Sequence, residues 1–182
     1  MRWEPLPRAF SDARADDVAR ALLGQLLVHV VRGRPRVGRI VETEAYLGPH
    51  DLACHSSKGR TARTEVMFGP PGHAYVFLVY GMHHCVNVVT GGGAAVLLRA
   101  LEPVEGLTDV RTDGPGRLTK ALGITRARDG HPLDEAPLFL ARGEAVSVKD
   151  IARGPRIGVD YAGRWAKKPL RFWVADSPHV SL

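Results

Sequence analysis

Between Arg39 and His55 the chain reads RIVETEAYLGPHDLACH, which brings two carboxylates, an aromatic ring and a histidine close together in sequence. If Ile40 to Tyr46 is extended, alternate side chains share a face, so Glu42, Glu44 and Tyr46 project one way and Val41, Thr43 and Ala45 the other. A carboxylate beside an aromatic ring and a histidine can activate water while rings hold a flat substrate, which suits attack on a glycosidic carbon. A solvated acidic strand face is the simpler alternative, because exposed acids are common. Spacing alone leaves both open. Further on, in AYVFLVYGMHH, Tyr75, Phe77 and Val79 share one strand face and form either core or the wall of an aromatic pocket. Tyr80 stands beside Gly81 at the expected tip of a hairpin, a poor place to bury a tyrosine and a good one from which to present a wedge.

The elements that position these residues can be read from the surrounding pattern. A helix is expected near Asp12 to Leu23, with Val18, Ala19, Leu22 and Leu23 on one face, Ser11 or Asp12 as cap and Gly24 as stop. Gln25 to Val31 and Arg36 to Tyr46 read as a hairpin around Arg32–Pro35. A polar stretch from Gly48 to Pro71 is long enough for a functional loop. Three strands follow, at Ala74 to Tyr80, His84 to Thr90 and Ala94 to Leu101. After Gly114-Pro115-Gly116 comes a short helix whose N-terminus suits a phosphate, or which is simply an amphipathic surface helix. Short β pieces are expected at Leu138 to Ala141, Arg156 to Tyr161 and Leu170 to Val174. The predicted fold is α+β: one compact domain over residues 1–182, with a curved, mainly antiparallel sheet, a few helices and a protruding β-hairpin.

Composition narrows the function classes. Hydrophobic residues make up 45% of 182, enough for a full core, and no apolar run is long enough to cross a bilayer. The N-terminus lacks the apolar stretch of a secretory signal, and two cysteines without CxxC spacing suit buried thiols in a reducing compartment, so a cytoplasmic location is expected. A formal charge of +6 favours a polyanionic partner, with nucleic acid the leading candidate. Many of the basic residues, among them Arg60, Arg63, Lys120, Arg156, Lys168 and Arg171, fall in segments that read as loops or element ends, where they can track a phosphate backbone.

Taken together, VETEAYLGPHDLACHS, MFGPPGHAYVFLVYGMHHCVNV, VLLRALEP and RIGVDYAGRWAKKPLRFWV resemble the alkyladenine (3-methyladenine) DNA glycosylases, and the resemblance covers nearly the whole chain. It implies a monofunctional base-excision repair enzyme that flips an alkylated or deaminated purine out of double-stranded DNA and hydrolyses its N-glycosidic bond. It implies no cofactor and no metal. By position, the resemblance makes Glu44 the general base, with Arg99 and the Val159 carbonyl supporting the attacking water. Tyr46 and His55 flank the flipped base, the His55 main-chain amide reads its edge, and Asn87 at the pocket floor rejects the exocyclic amine of guanine. Tyr80 enters the minor groove with Met82 beside it, and Arg60, Lys120 and Lys168 contact phosphates.

Two departures stand out. Phe77 occupies a position where better-known members have a tyrosine that stacks on the base, so the ring is kept and the hydroxyl lost. His83 also differs from the aromatic expected there. Three rival readings remain: a glycoside hydrolase using Glu42 and Glu44 as a carboxylate pair, a non-catalytic DNA-binding module, and a metallohydrolase drawing on His50, Cys54, His55, His83, His84 and Cys85, although their spacing matches no familiar site. A single wedge and a single pocket suit a monomer.

Overall fold

The computed structural model describes residues 2–181. Strands β1 (Leu26–Val31) and β2 (Arg34–Tyr46) form the expected hairpin, and β3 (Ala74–Val79), β4 (His83–Gly91) and β5 (Ala94–Glu105) follow as an antiparallel meander. With β6 (Leu138–Ala141) they curl in the order β3-β4-β5-β2-β1-β6, while β7 (Ile151–Gly154) pairs with β8 (Arg171–Val174). β8 in turn pairs with β2 at Glu42, Thr43 and Glu44, beyond the stretch that β1 covers. The loop-and-strand expectation is corrected at one place: Arg156 to Tyr161 is not a strand, β7 ends just before it, and a 3-10 segment (Asp160–Lys167) begins within it.

Helices α1 (Ala15–Leu22) and α2 (Pro115–Leu122) pack against one face of the sheet, α1 on β2 and β5 and α2 on β4 and β5. α1 starts later than its sequence suggests, because Ser11 lies in a preceding 3-10 turn and no side chain caps the helix; Asp16 and Asp17 in its first turn favour the positive end of its dipole. It stops at Gly24, whose φ of +86° is open to glycine and where a Cβ would strike the Glu144 carbonyl.

Alternation then sorts the sheet. Val76, Val86, Val88, Val96 and Leu98 point into the main core beneath the helices, while Tyr75, Phe77, Cys85, Asn87, Leu97 and Arg99 point to the opposite face. Of the three register shifts between β2 and β5, two adjust this order: β2 carries Val41 as an extra residue and β5 carries Arg99. The shifts explain why Ile40 and Ala45, and likewise Leu98 and Leu101, all reach the same core although strict alternation would separate them. The opposite face of the sheet is covered by loops, through small clusters built on Met67, Tyr75 and Cys54 and on Val159, Ala162 and Trp165. Cys54 and Cys85 are both buried free thiols.

Candidate active site

Glu42 and Glu44 do not form a solvated face: both are fully buried beneath the loops. A buried carboxylate demands partners, and Glu44 has them. Tyr46 donates its hydroxyl to Glu44 Oε2 (2.7 Å), the Ile157 amide donates to Oε1 (2.8 Å), and Arg99 Nη1 stands 3.4 Å from Oε1. Burial raises the proton affinity of Glu44, and Arg99, the Ile157 amide and Tyr46 oppose that rise without cancelling it. Tyr46 is pushed well above its ordinary range by burial and by the neighbouring Glu44 charge, so it remains a hydroxyl donor. Three donors leave one lone-pair position on Oε2 for a further donor such as water.

Directly outside this carboxylate lies a cavity of about 330 Å³, walled by Tyr46, Arg99, Ile157 and Val159 on the Glu44 side and by Tyr75, Phe77 and His55 on the other. His55 Nδ1 and the Tyr75 hydroxyl are 2.9 Å apart, and the His55 ring meets Phe77 edge-on at 4.5 Å between centroids. Burial, then the nearby Arg63 guanidinium, lowers the His55 pKa to about 4, so the ring is neutral at physiological pH. Arg63 also lies 5.3 Å from the Phe77 ring centroid, at the edge of this aromatic wall. Asn87 is buried on the floor and donates Nδ2 to the Tyr75 carbonyl (3.1 Å), which fixes its orientation. The wall is therefore flat, aromatic and mostly uncharged, with one carboxylate behind it.

The loops on the Glu44 side are held by a second buried ion pair. Arg156 grips Asp51 bidentately (2.6 and 2.9 Å), and Asp51 also accepts from the Leu47 and Ala53 amides. The guanidinium stacks 4.7 Å from the Tyr46 ring centroid and also donates to the Ala45 carbonyl. This corrects the reading of Arg156 as a phosphate contact: it is an internal fastener, as is Arg171, which binds Glu42 (3.0 Å) and stacks on Trp173.

At the cavity mouth the β3–β4 hairpin presents Tyr80 and Met82, 89% and 69% exposed. Tyr80 adopts φ +52°, a left-handed conformation costly for a side chain of its size. On the other rim, Tyr161 is largely exposed and donates its hydroxyl to the Ala53 carbonyl (3.2 Å).

Of the residues singled out from sequence, the fold brings Arg99, Tyr46, His55, Phe77, Asn87, Val159 and Tyr80 to one cavity, with Glu44 behind its wall and Met82 beside its mouth. The three proposed backbone contacts are scattered. Arg60 pairs with Glu65 (3.0 Å), Lys168 sits 3.8 Å from the Trp165 ring centroid, and Lys120 is exposed on α2 beside Arg117 and Arg36. Glu42 is bound by Arg171 and the Ser181 amide, neither of which lines the cavity, whereas Tyr46, Ile157 and Arg99 around Glu44 all do, which argues against the two acids as a carboxylate pair facing substrate. Asp51, Tyr161 and the Ile157 amide gave no functional signal in sequence, and Arg63, read only as one of many basic residues that can track a phosphate backbone, stands instead beside the aromatic wall. Asp51 shares a turn with Gly48-Pro49 that could have marked it.

The profile of the methylpurine-DNA glycosylase (MPG) family matches residues 9–178. A protein of Myxococcus xanthus named "Putative 3-methyladenine DNA glycosylase" is 63% identical over 185 residues, covering 100% of this chain and 94% of its own length. Proteins with the same name from Legionella pneumophila (strain Corby) and Methanocella arvoryzae are 51% and 50% identical, each over 97% of this chain and over 97% and 95% of their own lengths.

Proposed function

The chain belongs to the methylpurine-DNA glycosylase family, and on that premise we propose that it flips alkylated or deaminated purines out of duplex DNA and hydrolyses their N-glycosidic bond. The lesions belong to the 3-methyladenine, 7-methylguanine, hypoxanthine and ethenoadenine class, and the product is an abasic site. The observation that carries the reading is a fully buried carboxylate, held by three donors, directly behind the wall of an aromatic cavity of about 330 Å³.

In this reading Glu44 is the general base. Water takes the remaining position on Oε2, with Arg99 and the Val159 carbonyl completing its orientation, and attacks the anomeric carbon as the base departs. Phe77 stacks on the flipped purine and Tyr46 and His55 flank it. Asn87, locked by the Tyr75 carbonyl, cannot turn away from a guanine amine and so excludes it. Tyr80, already exposed and held in a costly backbone conformation, fills the gap in the stack with Met82 beside it, which offsets part of the few kcal/mol lost in unstacking. Arg60, Lys120 and Lys168 contact phosphates, Arg60 exchanging its Glu65 partner for one.

A cationic alkylated purine is already a good leaving group, so positioning and one activated water suffice. Hypoxanthine is neutral and must be protonated as it leaves, which gives its release a bell-shaped pH profile. Lyase chemistry would need an amine at the anomeric carbon, and among the described residues no lysine lines the cavity, which supports a monofunctional reading. The enzyme works as a monomer on DNA.

The test is single-turnover release of hypoxanthine and 7-methylguanine from duplex DNA, wild type beside Glu44→Gln. Release that vanishes in the variant while lesion binding persists is the expected result. Lesion binding without release by the wild type would leave a DNA-binding module and overturn the assignment.

A further inference from the structure

Arg99 is held in an unusual way. Its Nη1 stands 3.4 Å from Glu44 Oε1, its Nε 3.5 Å from Glu42 Oε1, and its Nη2 3.4 Å from Ser181 Oγ. A guanidinium given one carboxylate closes to about 2.7–2.9 Å, as Arg156 does on Asp51. Arg99 is thus suspended among three acceptors and clasps none of them, although it is nine-tenths buried, and its Nε has no hydrogen-bond partner among the described residues. Glu42 is the opposite. It is fully buried and firmly fixed, by the Ser181 amide on Oε2 (2.7 Å) and Arg171 Nη1 on Oε1 (3.0 Å).

We propose that Glu42 is a positioning residue for base excision: by holding a share of the Arg99 charge it keeps that guanidinium, now on the Oε1 side of Glu44, from closing bidentately onto both oxygens and taking the Oε2 lone pair on which the attacking water sits. This rests on the reading of Glu44 as the base. The device is built by the paired register shifts. Arg99 is the extra residue of β5 and faces β2 just where Val41 is extra, so one guanidinium spans two carboxylates that stand two residues apart. β8 supplies the counterweight, since its pairing brings Arg171 against the edge of β2 at Glu44 and its side chain back to Glu42.

Several other groups face Glu44. Tyr46 lies on its own strand, Cys85 on β4 and Arg156 and Tyr161 on the covering loops, with Asp51 paired to Arg156. Glu42 is held by other groups, Arg171 and the Ser181 amide, whereas Arg171 also touches the covering loop, donating Nε to the Pro155 carbonyl (2.9 Å) beside Arg156. The proposal therefore makes two predictions of opposite sign. In Glu42→Gln, Arg99 is released to Glu44, whose proton affinity falls by about one pH unit, and single-turnover excision drops about tenfold or more as the water site closes. In Arg171→Gln, Glu42 loses its short partner and draws Arg99 toward itself, so Glu44 titrates higher.

The experiment reads the Glu44 carboxyl directly, by carbon NMR titration of the folded protein without DNA, beside the pH profile of hypoxanthine and 7-methylguanine release. Opposite shifts of Glu44 in the two variants, with the acid limb of the rate following each, and binding of a duplex containing an abasic-site analogue unchanged, support the proposal. Shifts of the same sign, or none, in folded variants overturn it and leave Glu42 a structural residue. Should Glu42→Gln fail to fold, Arg171→Gln together with Glu42→Asp decides: the aspartate keeps the charge, and a Glu44 shift there as large as that expected for glutamine would overturn the proposal. Opposite shifts in a protein that releases no base would overturn the glycosylase reading and leave the division of Arg99 standing.

Discussion

Replacing Asp51 by asparagine should unfasten the wall behind Tyr46, and the structure fixes how costly that is. The two side chains of the Asp51–Arg156 pair are wholly buried. Asp51 Oδ2 accepts from the Leu47 amide and Arg156 Nη1, and Oδ1 accepts from the Ala53 amide and Arg156 Nη2. An asparagine must turn its amino group toward one of these pairs of donors, so it faces donors whichever way it is flipped. The guanidinium is then left buried without its counter-charge. Breaking a buried pair from one side costs about 3–5 kcal/mol, and for a chain of this size each kcal/mol lowers the melting temperature by about 2–4 °C. Asp51→Asn should therefore melt roughly 10 °C below the wild type. The companion variant Arg156→Met leaves a buried carboxylate instead, whereas the double variant removes both charges and should lose clearly less than the two single losses combined. Urea and thermal unfolding of the four proteins completes the cycle. A loss under about 1 kcal/mol for Asp51→Asn, or additivity in the cycle, would refute the claim that this pair fastens the loops. Excision should weaken in parallel, because Ile157, the neighbour of Arg156, donates to Glu44.

Further outcomes follow from the same contacts. Tyr80→Gly relieves a left-handed tyrosine and should stabilise the fold by about 1 kcal/mol while lowering excision from duplex DNA; a variant that loses stability would remove the strain argument. Glu44 sits above the ordinary glutamate range because of its burial, so excision of 7-methylguanine should rise with pH through a midpoint higher than that of a free glutamate. In the folded protein Glu44 then holds its proton longer than in the unfolded chain, so the fold loses stability as pH rises through that midpoint, and Glu44→Gln should abolish that loss. His55 has the opposite sign: with its pKa lowered to about 4, stability should climb between about pH 4 and 6.5 by about 2 kcal/mol after solvent screening, and a flat profile in that window would contradict a neutral ring. Phe77→Leu keeps an apolar side chain, though a smaller one, but loses the stacking face, worth about 1–3 kcal/mol per base, and should slow single-turnover release roughly tenfold or more without changing the melting temperature by more than a few degrees.

The sequence by itself determined the order of strands and helices as far as β6, the hairpin carrying Tyr80 and the acids of β2, because hydrophobic period, glycine turns and residue types act locally, but it put a strand at Arg156 to Tyr161 where β7 lies just before it. Its ordered motifs also marked the family. It could not determine which basic residues meet solvent: Arg156 and Arg171 sit among loop and strand-end residues like the others, and only the packing of distant segments turns them inward onto Asp51 and Glu42. Alternation placed Glu42 and Glu44 on one face, yet the exposed or buried character of that face depends on the loops 48–59 and 155–168 that fold over it. The register shifts at Val41 and Arg99 left no mark in the residue pattern, because a bulge is set by how two strands meet. Nor did any local signal name the Ile157 amide as a partner of Glu44, since a backbone donor is the same in every residue and only tertiary structure decides where it points.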